Sequence, residues 1–251
     1  MIITKNSGFT LIELAVVIFI VGLLLAGILT PMATSIESER RETQAELYDD
    51  IEEALIGFAI VNGRLPCPDC PLGAAAAACT AGINVINDGI EDQANGGVGN
   101  GCAVGVTTNV EGNLPWVTLG LAGTDPWGNT LSYQVDEAYA DIDAEAACTP
   151  ATANVSFSIC TTAILTIQDT GSTCGTAVAN VASNVPVVVY SQGAQSNPAA
   201  SSCNELENTD GDTTFVDMDY NLTAATYYDD MIFWISPFLL DSRMVKAEVL
   251  P

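Results

Sequence analysis

The chain contains no histidine and very few basic residues. Only six Lys or Arg stand against 31 Asp or Glu in 251 residues, a formal net charge of −25. Without histidine the chain lacks the commonest general base and metal ligand, which excludes Ser-His-Asp triads, Cys-His dyads and most zinc sites. No Lys or Arg occurs between Arg64 and Arg243. A nucleic-acid backbone would be repelled along that whole stretch, so we expect no nucleic-acid partner; calcium or simple solubility suits such acidity.

The cysteines lie in polar segments rich in Gly and Ala, beyond an apolar N-terminal segment. There are eight of them: Cys67, Cys70, Cys79, Cys102, Cys148, Cys160, Cys174 and Cys203. An even number of scattered cysteines predicts disulfides formed outside the cytoplasm. Cys67 and Cys70 have the spacing of a redox motif, but they follow Leu65-Pro66 instead of a βαβ pattern and no cationic residue lies close behind them, so structural pairing is favoured. A four-cysteine zinc site is a further alternative, which the irregular spacings of the other cysteines disfavour. We predict these pairs: Cys67–Cys102, Cys70–Cys79, Cys148–Cys160 and Cys174–Cys203.

An apolar stretch of 21 residues runs from Phe9 to Leu29, and its only polar side chains are those of Thr10 and Glu13. About 20 apolar residues in a helix span a hydrocarbon core of roughly 30 Å, so this stretch predicts a membrane-spanning helix. A secretory signal peptide is the alternative, but its apolar region would run only about 7–15 residues. Basic residues at the two ends do not decide the orientation. The cysteines do, and they place the amino terminus in the cytoplasm.

Glu13 is a carboxylate inside this apolar stretch, where insertion scales put its cost at about 2.5–3.5 kcal/mol. No basic residue of the stretch can pair with it. One interpretation is that Glu13 snorkels to the headgroups. The other needs a cation nearby, and a cut just before Phe9 would place a new α-amino group one helical turn from Glu13.

The run Gly8-Phe9-Thr10-Leu11-Ile12-Glu13-Leu14 follows a short leader containing Lys5 and precedes the apolar stretch. It resembles the cleavage and methylation signal of type IV prepilins and pseudopilins. The resemblance implies that a prepilin peptidase cuts after Gly8 and methylates Phe9. It also implies that Glu13 neutralises the amine of a neighbouring subunit in the filament. The implied partners are other pilin or pseudopilin subunits, prepilin peptidase and the bacterial inner membrane, crossed once with the head in the periplasm.

The rest of the chain predicts an α+β fold in which a long helix packs on an antiparallel sheet. The helix continues to residue 62 with an apolar stripe of Leu47, Ile51, Ala54 or Leu55, and Phe58, and Gly63 can cap it. Short apolar runs separated by turn residues then predict strands and long, disulfide-tied loops. Expected strands are Leu131–Val135, Val155–Ile159, Ala163–Ile167, Val185–Tyr190, Thr213–Met218 and Met231–Ile235, and Ser236-Pro237 should begin a short helix. The expected organisation is a leader (1–8), a transmembrane or filament-core helix (9–31), its amphipathic continuation (32–62) and a β-rich head (63–251).

The run Asp125-Pro126-Trp127-Gly128-Asn129 fits a type I turn, with Asp first, Pro second and Gly fourth. A DPWGN turn before the first strands of the sheet resembles a signature of type II secretion pseudopilins. It agrees with the N-terminal motif and favours the pseudopilin side of the family. Because major subunits are usually shorter than this chain, we expect a minor subunit.

Two acidic loops are candidates for calcium. Asp210 and Asp212, followed by Asp217 and Asp219, offer enough oxygens, but the intervening glycine is misplaced for an EF-hand and a solvated turn is the favoured alternative. The loop from residue 87 to 92 is a weaker case. Asp229 and Asp230 are poor candidates for an acid/base pair, because neighbours in a strand point to opposite faces.

We therefore expect a structural subunit, a minor pilin or pseudopilin of a type IV pilus-like or type II secretion filament in the periplasm or at the cell surface. The alternative is an adhesin or cargo-recognition subunit displayed on such a filament. An enzyme is not expected, since the chain lacks histidine and any recognisable nucleophile motif. Calcium in an acidic loop is the one cofactor considered.

Overall fold

The computed structural model covers two units that contacts between residues define, Met1–Ala45 and Glu46–Pro251. The structure describes residues 10–71, 86–93, 101–102, 109–141, 155–171, 174, 178–195, 202–223 and 227–251, leaving aside the side chains of residues 24–34 and 109–110. Helix α1 (Leu11–Asn62) contributes to both units. Within the described part of the chain, no helix has the length and apolar character needed to cross a membrane.

The second unit consists of short strands and helices that follow α1. In chain order the described elements are β1 (Asn109–Asn113), α2 (Trp116–Leu119), β2 (Ser132–Asp136), α3 (Glu137–Ala140), β3 (Leu165–Gln168), β4 (Asn180–Val185), β5 (Val187–Ser191), α4 (Cys203–Glu207), β6 (Thr214–Val216), β7 (Met231–Ile235) and α5 (Pro237–Lys246).

The described strands form two sheets. A four-stranded sheet has the order β1-β2-β5-β7 and is antiparallel throughout. A three-stranded sheet has the order β4-β3-β6, in which β3 pairs antiparallel with β4 and parallel with β6. The α+β class and the antiparallel sheet agree with the sequence analysis, but the parallel pair β3–β6 corrects the expectation of a purely antiparallel head. A parallel pair needs a long connection, and here the chain passes through β4, β5 and α4 before it returns.

One face of α1 is buried in the core of the second unit. Tyr48, Ile51, Leu55 and Ala59 are at most 7% exposed, and their spacing of three or four residues places them on one side of the helix. They pack in one cluster with residues of β2, β5, β7 and α5. The hydroxyl of Tyr48 donates to the carbonyl oxygen of Met231 and accepts the Ser191 N–H at 3.1 Å, which fixes the helix to the ends of β5 and β7.

The predicted stripe of α1 is confirmed at its centre. Ile51 and Leu55 are fully buried, whereas Leu47, Ala54 and Phe58 are only partly buried. Gly63 ends the helix as predicted: its φ is 71°, and its N–H donates to the carbonyl oxygen of Ala59 at 2.8 Å.

The four-stranded sheet is buried on both faces. In β5, Val187 and Val189 join the cluster that contains α1, whereas Val188 and Tyr190 join a second cluster with Phe215 and residues of β3 and β4. The sheet therefore lies between a helical layer and the three-stranded sheet. This explains why β5 is apolar at successive positions instead of alternating.

Five of the six predicted strands are confirmed, one is wrong, and two described strands were not predicted. Five of the predicted runs overlap β2, β3, β5, β6 and β7, and α5 begins at Pro237 behind the N-cap Ser236, as predicted. The run Val155–Ile159 is not a strand, because the Ser156 N–H donates to the carbonyl oxygen of Gly63 and a turn begins at Ile159. β1 and β4 were missed since Asn, Ser, Gly and Glu make up four of the five residues of β1 and three of the six of β4.

Replacing Leu55 with alanine should lower the free energy of unfolding by about 2–5 kcal/mol, because it leaves a cavity in a fully buried site. Val61, which is 82% exposed on the same helix, provides the matched control. Urea unfolding of the full chain in detergent measures both variants. An equal loss in Leu55→Ala and Val61→Ala would contradict the packing described for α1.

Candidate functional site

The beginning of α1 exposes a continuous apolar surface. From Leu11 to Leu23 the large apolar side chains are 47–89% exposed. Exposure over this length is unusual for a soluble monomer and indicates a surface that other molecules cover. Gly8 and Phe9, the predicted processing residues, lie outside the described residues.

Glu13 closes a capping box at the start of α1. Its Oε2 accepts hydrogen bonds from the Thr10 N–H at 2.9 Å and from the Thr10 hydroxyl at 2.8 Å, while the Glu13 N–H donates to Thr10 Oγ1 at 3.4 Å. The two residues stand in the Thr-x-x-Glu pattern of such boxes. The sequence analysis missed this role, although the pattern was visible. Both hydrogen bonds that Thr10 donates to the Glu13 carboxylate reach Oε2, and no described residue donates a hydrogen bond to Oε1.

The structure contains two of the four predicted disulfides among its described residues. Cys67 pairs with Cys102 and Cys174 pairs with Cys203, which confirms those predictions. Cys70 and Cys160 are also disulfide-bonded, with partners outside the described residues. The pairs Cys70–Cys79 and Cys148–Cys160 stay predictions.

The DPWGN turn is locked to the end of β5. The Gly128 N–H donates to the carbonyl oxygen of Asp125 at 3.0 Å, as a β-turn requires. The Asp125 carboxylate accepts hydrogen bonds from the N–H groups of Trp127 and Asn129 and, at 2.6 Å, from the hydroxyl of Ser191. This turn therefore holds the end of β5 in place.

The four aspartates predicted as calcium ligands do not come together. Asp210 and Asp212 join Glu207, with one carboxylate oxygen of each within 4.8 Å of the others. Asp217 and Asp219 instead line a surface cavity of about 410 Å³ with Asp169. The chain turns into β6 between the two pairs, which separates them.

A second carboxylate cluster is buried beneath α4. Glu205, Asp229 and Asp230 are 2%, 1% and 4% exposed, and one oxygen of each lies within 4.8 Å of the others. The prediction that Asp229 and Asp230 point to opposite faces assumed strand geometry, but both residues precede β7, which begins at Met231. The sequence contained a signal for Glu205, because Ser202-x-x-Glu205 has the spacing of a capping box and forms one at the start of α4.

Each carboxylate of this buried cluster, the Glu205–Asp229–Asp230 cluster, is fixed by hydrogen bonds. Glu205 accepts the N–H groups of Ser202 and Asp229, at 3.0 and 3.1 Å. Asp229 Oδ2 accepts the Gln195 N–H and the Tyr227 hydroxyl, at 3.0 and 2.9 Å. Asp230 Oδ2 accepts from the side-chain amide of Asn208 at 2.8 Å. Asp229 Oδ1 is buried and has no hydrogen-bond donor in the described structure.

The electrostatics of the cluster follow from burial and like charge. Burial and the carboxylates of Glu205 and Asp229 raise the pKa of Asp230 to about 8. Burial, followed by hydrogen bonding and repulsion from Asp229, also raises the pKa of Glu205. Among the described residues, no Lys or Arg contributes to either pKa shift.

The weaker acidic loop, residues 87–92, packs on the segment that carries Cys67 and Cys70. Asp69 is fully buried there, and its Oδ2 accepts the Gly89 N–H at 3.1 Å. Burial, with smaller contributions from the charges of Asp92 and Asp88, raises the pKa of Asp69 to about 6. No described group of three acidic residues that could hold a metal forms in this loop.

The raised pKa of Asp69 predicts a pH-dependent stability. Between about pH 4 and pH 6 the folded state keeps a proton on Asp69 that the unfolded chain has lost, so this residue's contribution to stability falls as pH rises through that window. Relative to the wild type, Asp69→Asn should therefore gain melting temperature between pH 4 and pH 7. Asp49→Asn, at an exposed position of α1, is the control. Parallel pH profiles for wild type and Asp69→Asn would contradict the assignment.

Comparison with known proteins identifies the N-terminal segment. Residues 3–29 match the family model described as the prokaryotic N-terminal methylation motif. No curated protein and no solved structure matches the chain. The match includes Thr10, Glu13 and the exposed apolar side chains of α1 up to Leu23. The chain therefore carries the N-terminal methylation motif that is the signature of type IV pilins and pseudopilins.

Proposed function

We propose that this chain is a structural subunit, a minor pilin or pseudopilin, of a type IV pilus-like or type II secretion filament. The match of residues 3–29 to the methylation motif carries the proposal. In this proposal prepilin peptidase cuts between Gly8 and Phe9 and methylates Phe9. The DPWGN turn, which anchors β5 through Ser191, favours the pseudopilin side.

The proposed location is the bacterial inner membrane, with a single pass and the head in the periplasm. The apolar stretch from Phe9 to Leu29 supports the anchor, because 21 residues in a helix are long enough to span a bilayer core. The disulfides Cys67–Cys102 and Cys174–Cys203 support an oxidising compartment for the head.

Assembly is proposed to proceed through α1, with Glu13 as the partner of a neighbouring subunit's amino terminus. The capping box uses Oε2 of Glu13, and Oε1 accepts no hydrogen bond from any described residue. One carboxylate can therefore cap its own helix and still face the amine of another subunit. A charged amine in an apolar filament core is costly unless a carboxylate meets it.

Mature protein extracted from membranes should begin with N-methyl-Phe9. The cut must leave the apolar segment attached, so only the eight-residue leader is lost. Intact-mass measurement and N-terminal peptide sequencing test this expectation. Gly8→Val should retain the leader, and Ser7→Ala should be processed normally. An amino terminus at Met1, or one beyond Leu29, in the wild type would refute the processing step.

Glu13→Gln should leave membrane insertion and leader removal intact but strongly reduce incorporation into filaments. Glutamine keeps the shape and the acceptor that caps the helix, but it cannot neutralise an amine. Crosslinking of the variant to filament partners measures incorporation, and a blot for leader removal reports processing.

The variant Thr10→Ala distinguishes the role of Glu13 as a helix cap from its role as a negative charge. It removes the hydroxyl that bonds to Glu13 but keeps the carboxylate, so it should assemble nearly as well as the wild type. If Glu13 acts only as a cap, the order reverses: Glu13→Gln assembles normally and Thr10→Ala does not.

A further inference from the structure

We infer that Glu205, Asp229 and Asp230 form a binding site for a divalent cation, and that their all-oxygen chemistry selects calcium. The site joins the first turn of α4 to the two residues that precede β7. It lies in the second unit and does not depend on the proposed filament function.

The cluster gathers negative charge without a cationic partner among the described residues. Three carboxylates with at most 4% exposure gather within 4.8 Å, and buried charges are normally paired or bound to a metal. The chain has no Lys or Arg between Arg64 and Arg243 that could serve as a partner.

One buried carboxylate oxygen of the cluster has no hydrogen-bond partner in the described structure. Asp229 is 1% exposed, and its Oδ1 accepts no hydrogen bond in the described structure, although Oδ2 accepts two. Burying a carboxylate oxygen without a partner costs free energy unless a hydrogen-bond donor or a cation contacts it. A cation bound among the three carboxylates would satisfy it.

The backbone holds the site in a fixed shape. Gly193 packs so closely on Asp229 that a Cβ would lie 2.5 Å from the Asp229 carbonyl oxygen, and its φ of +60° is one that side chains disfavour. The Asp229 N–H in turn donates to Glu205. The carboxylates are therefore positioned before any ion arrives, which lowers the entropic cost of binding.

The ligand atoms decide the type of ion. Carboxylate oxygens suit calcium, magnesium and manganese rather than zinc or copper, which prefer nitrogen and sulfur ligands. Magnesium demands near-octahedral geometry and usually keeps several waters, whereas calcium accepts irregular sets of protein oxygens. A site in which every carboxylate is nearly inaccessible to solvent favours calcium.

A bound ion would stabilise the chain between β5 and β6. Glu205 follows Cys203, whose disulfide with Cys174 ties α4 to the segment after β3. The ion would connect this same helix to β7 in the four-stranded sheet. Calcium-binding modules outside cells often work at about 10⁻⁴–10⁻³ M, so the head would be most stable where calcium is abundant.

The test uses the full chain in detergent at pH 8, first stripped with a chelator. Calorimetric titration with calcium chloride should show binding, and calcium at about 100 times Kd should raise the melting temperature by roughly 5–10 °C over the chelated protein. Glu205→Gln and Asp229→Asn should each weaken calcium binding at least tenfold. Without calcium both variants should melt at or above the wild-type temperature, because each removes a repelling charge.

Asp210→Asn/Asp212→Asn is the matched control, since it removes two carboxylates from the neighbouring exposed cluster and should keep the full calcium response. The proposal is overturned if the wild type melts at the same temperature with calcium and with chelator, or if this control loses the response while Asp229→Asn keeps it. Variants that unfold in chelator would contradict the charge argument. An equal response to magnesium would overturn the assignment of calcium.

Discussion

The packing of one face of α1 on the four-stranded sheet is the interaction on which the second unit depends. Tyr48, Ile51, Leu55 and Ala59 form a continuous buried face, and the Tyr48 hydroxyl bonds to the backbone of both β5 and β7. With one side of the sheet closed by the helix, the three-stranded sheet closes the other side. The chain passes from β4 in one sheet to β5 in the other at Pro186.

The second constraint is the excess of acid over base. Part of this excess is compensated by an ion pair. Arg64 is 7% exposed and donates two hydrogen bonds of 2.8 Å to the Glu91 carboxylate. Other carboxylates accept hydrogen bonds from backbone N–H groups. Asp125 does so within its turn, and Asp136 does so at the start of α3. Such bonds place negative charge where donors would otherwise lack partners. Hydrogen bonds of this kind do not balance the negative charge of the Glu205–Asp229–Asp230 cluster, so a bound ion is expected there.

Apolar runs and end signals made much of the fold predictable from sequence. The stripe around Ile51, the end of α1 at Gly63, the strand Met231–Ile235 and the start of α5 all follow from local patterns. β1 and β4 could not be found in this way, because their pairing with neighbours, and not their composition, makes them strands. The run at Val155–Ile159 has the right alternation but pairs with no strand among the described residues.

Site residues could be predicted from the sequence where a recognisable motif or cysteine spacing marked them, and not where the fold brings distant residues together. The motif around Glu13 and the pairs Cys67–Cys102 and Cys174–Cys203 were named in advance, whereas the buried carboxylate cluster was not. Its members come from α4 and from the segment before β7, 24 residues apart in the chain. Sequence alternation places Asp229 and Asp230 on opposite faces, but that rule applies within a strand and not to the residues before it.

The central claim, that the chain is a processed filament subunit, is tested most directly by fractionation of cells with and without prepilin peptidase. Filaments sheared or extracted from each strain are separated from membranes and probed for this chain. The account predicts that the chain sediments with filaments when the peptidase is present and stays entirely in the membrane fraction, with its leader attached, when it is absent. A chain that never enters the filament fraction in peptidase-positive cells with intact filaments would contradict the claim.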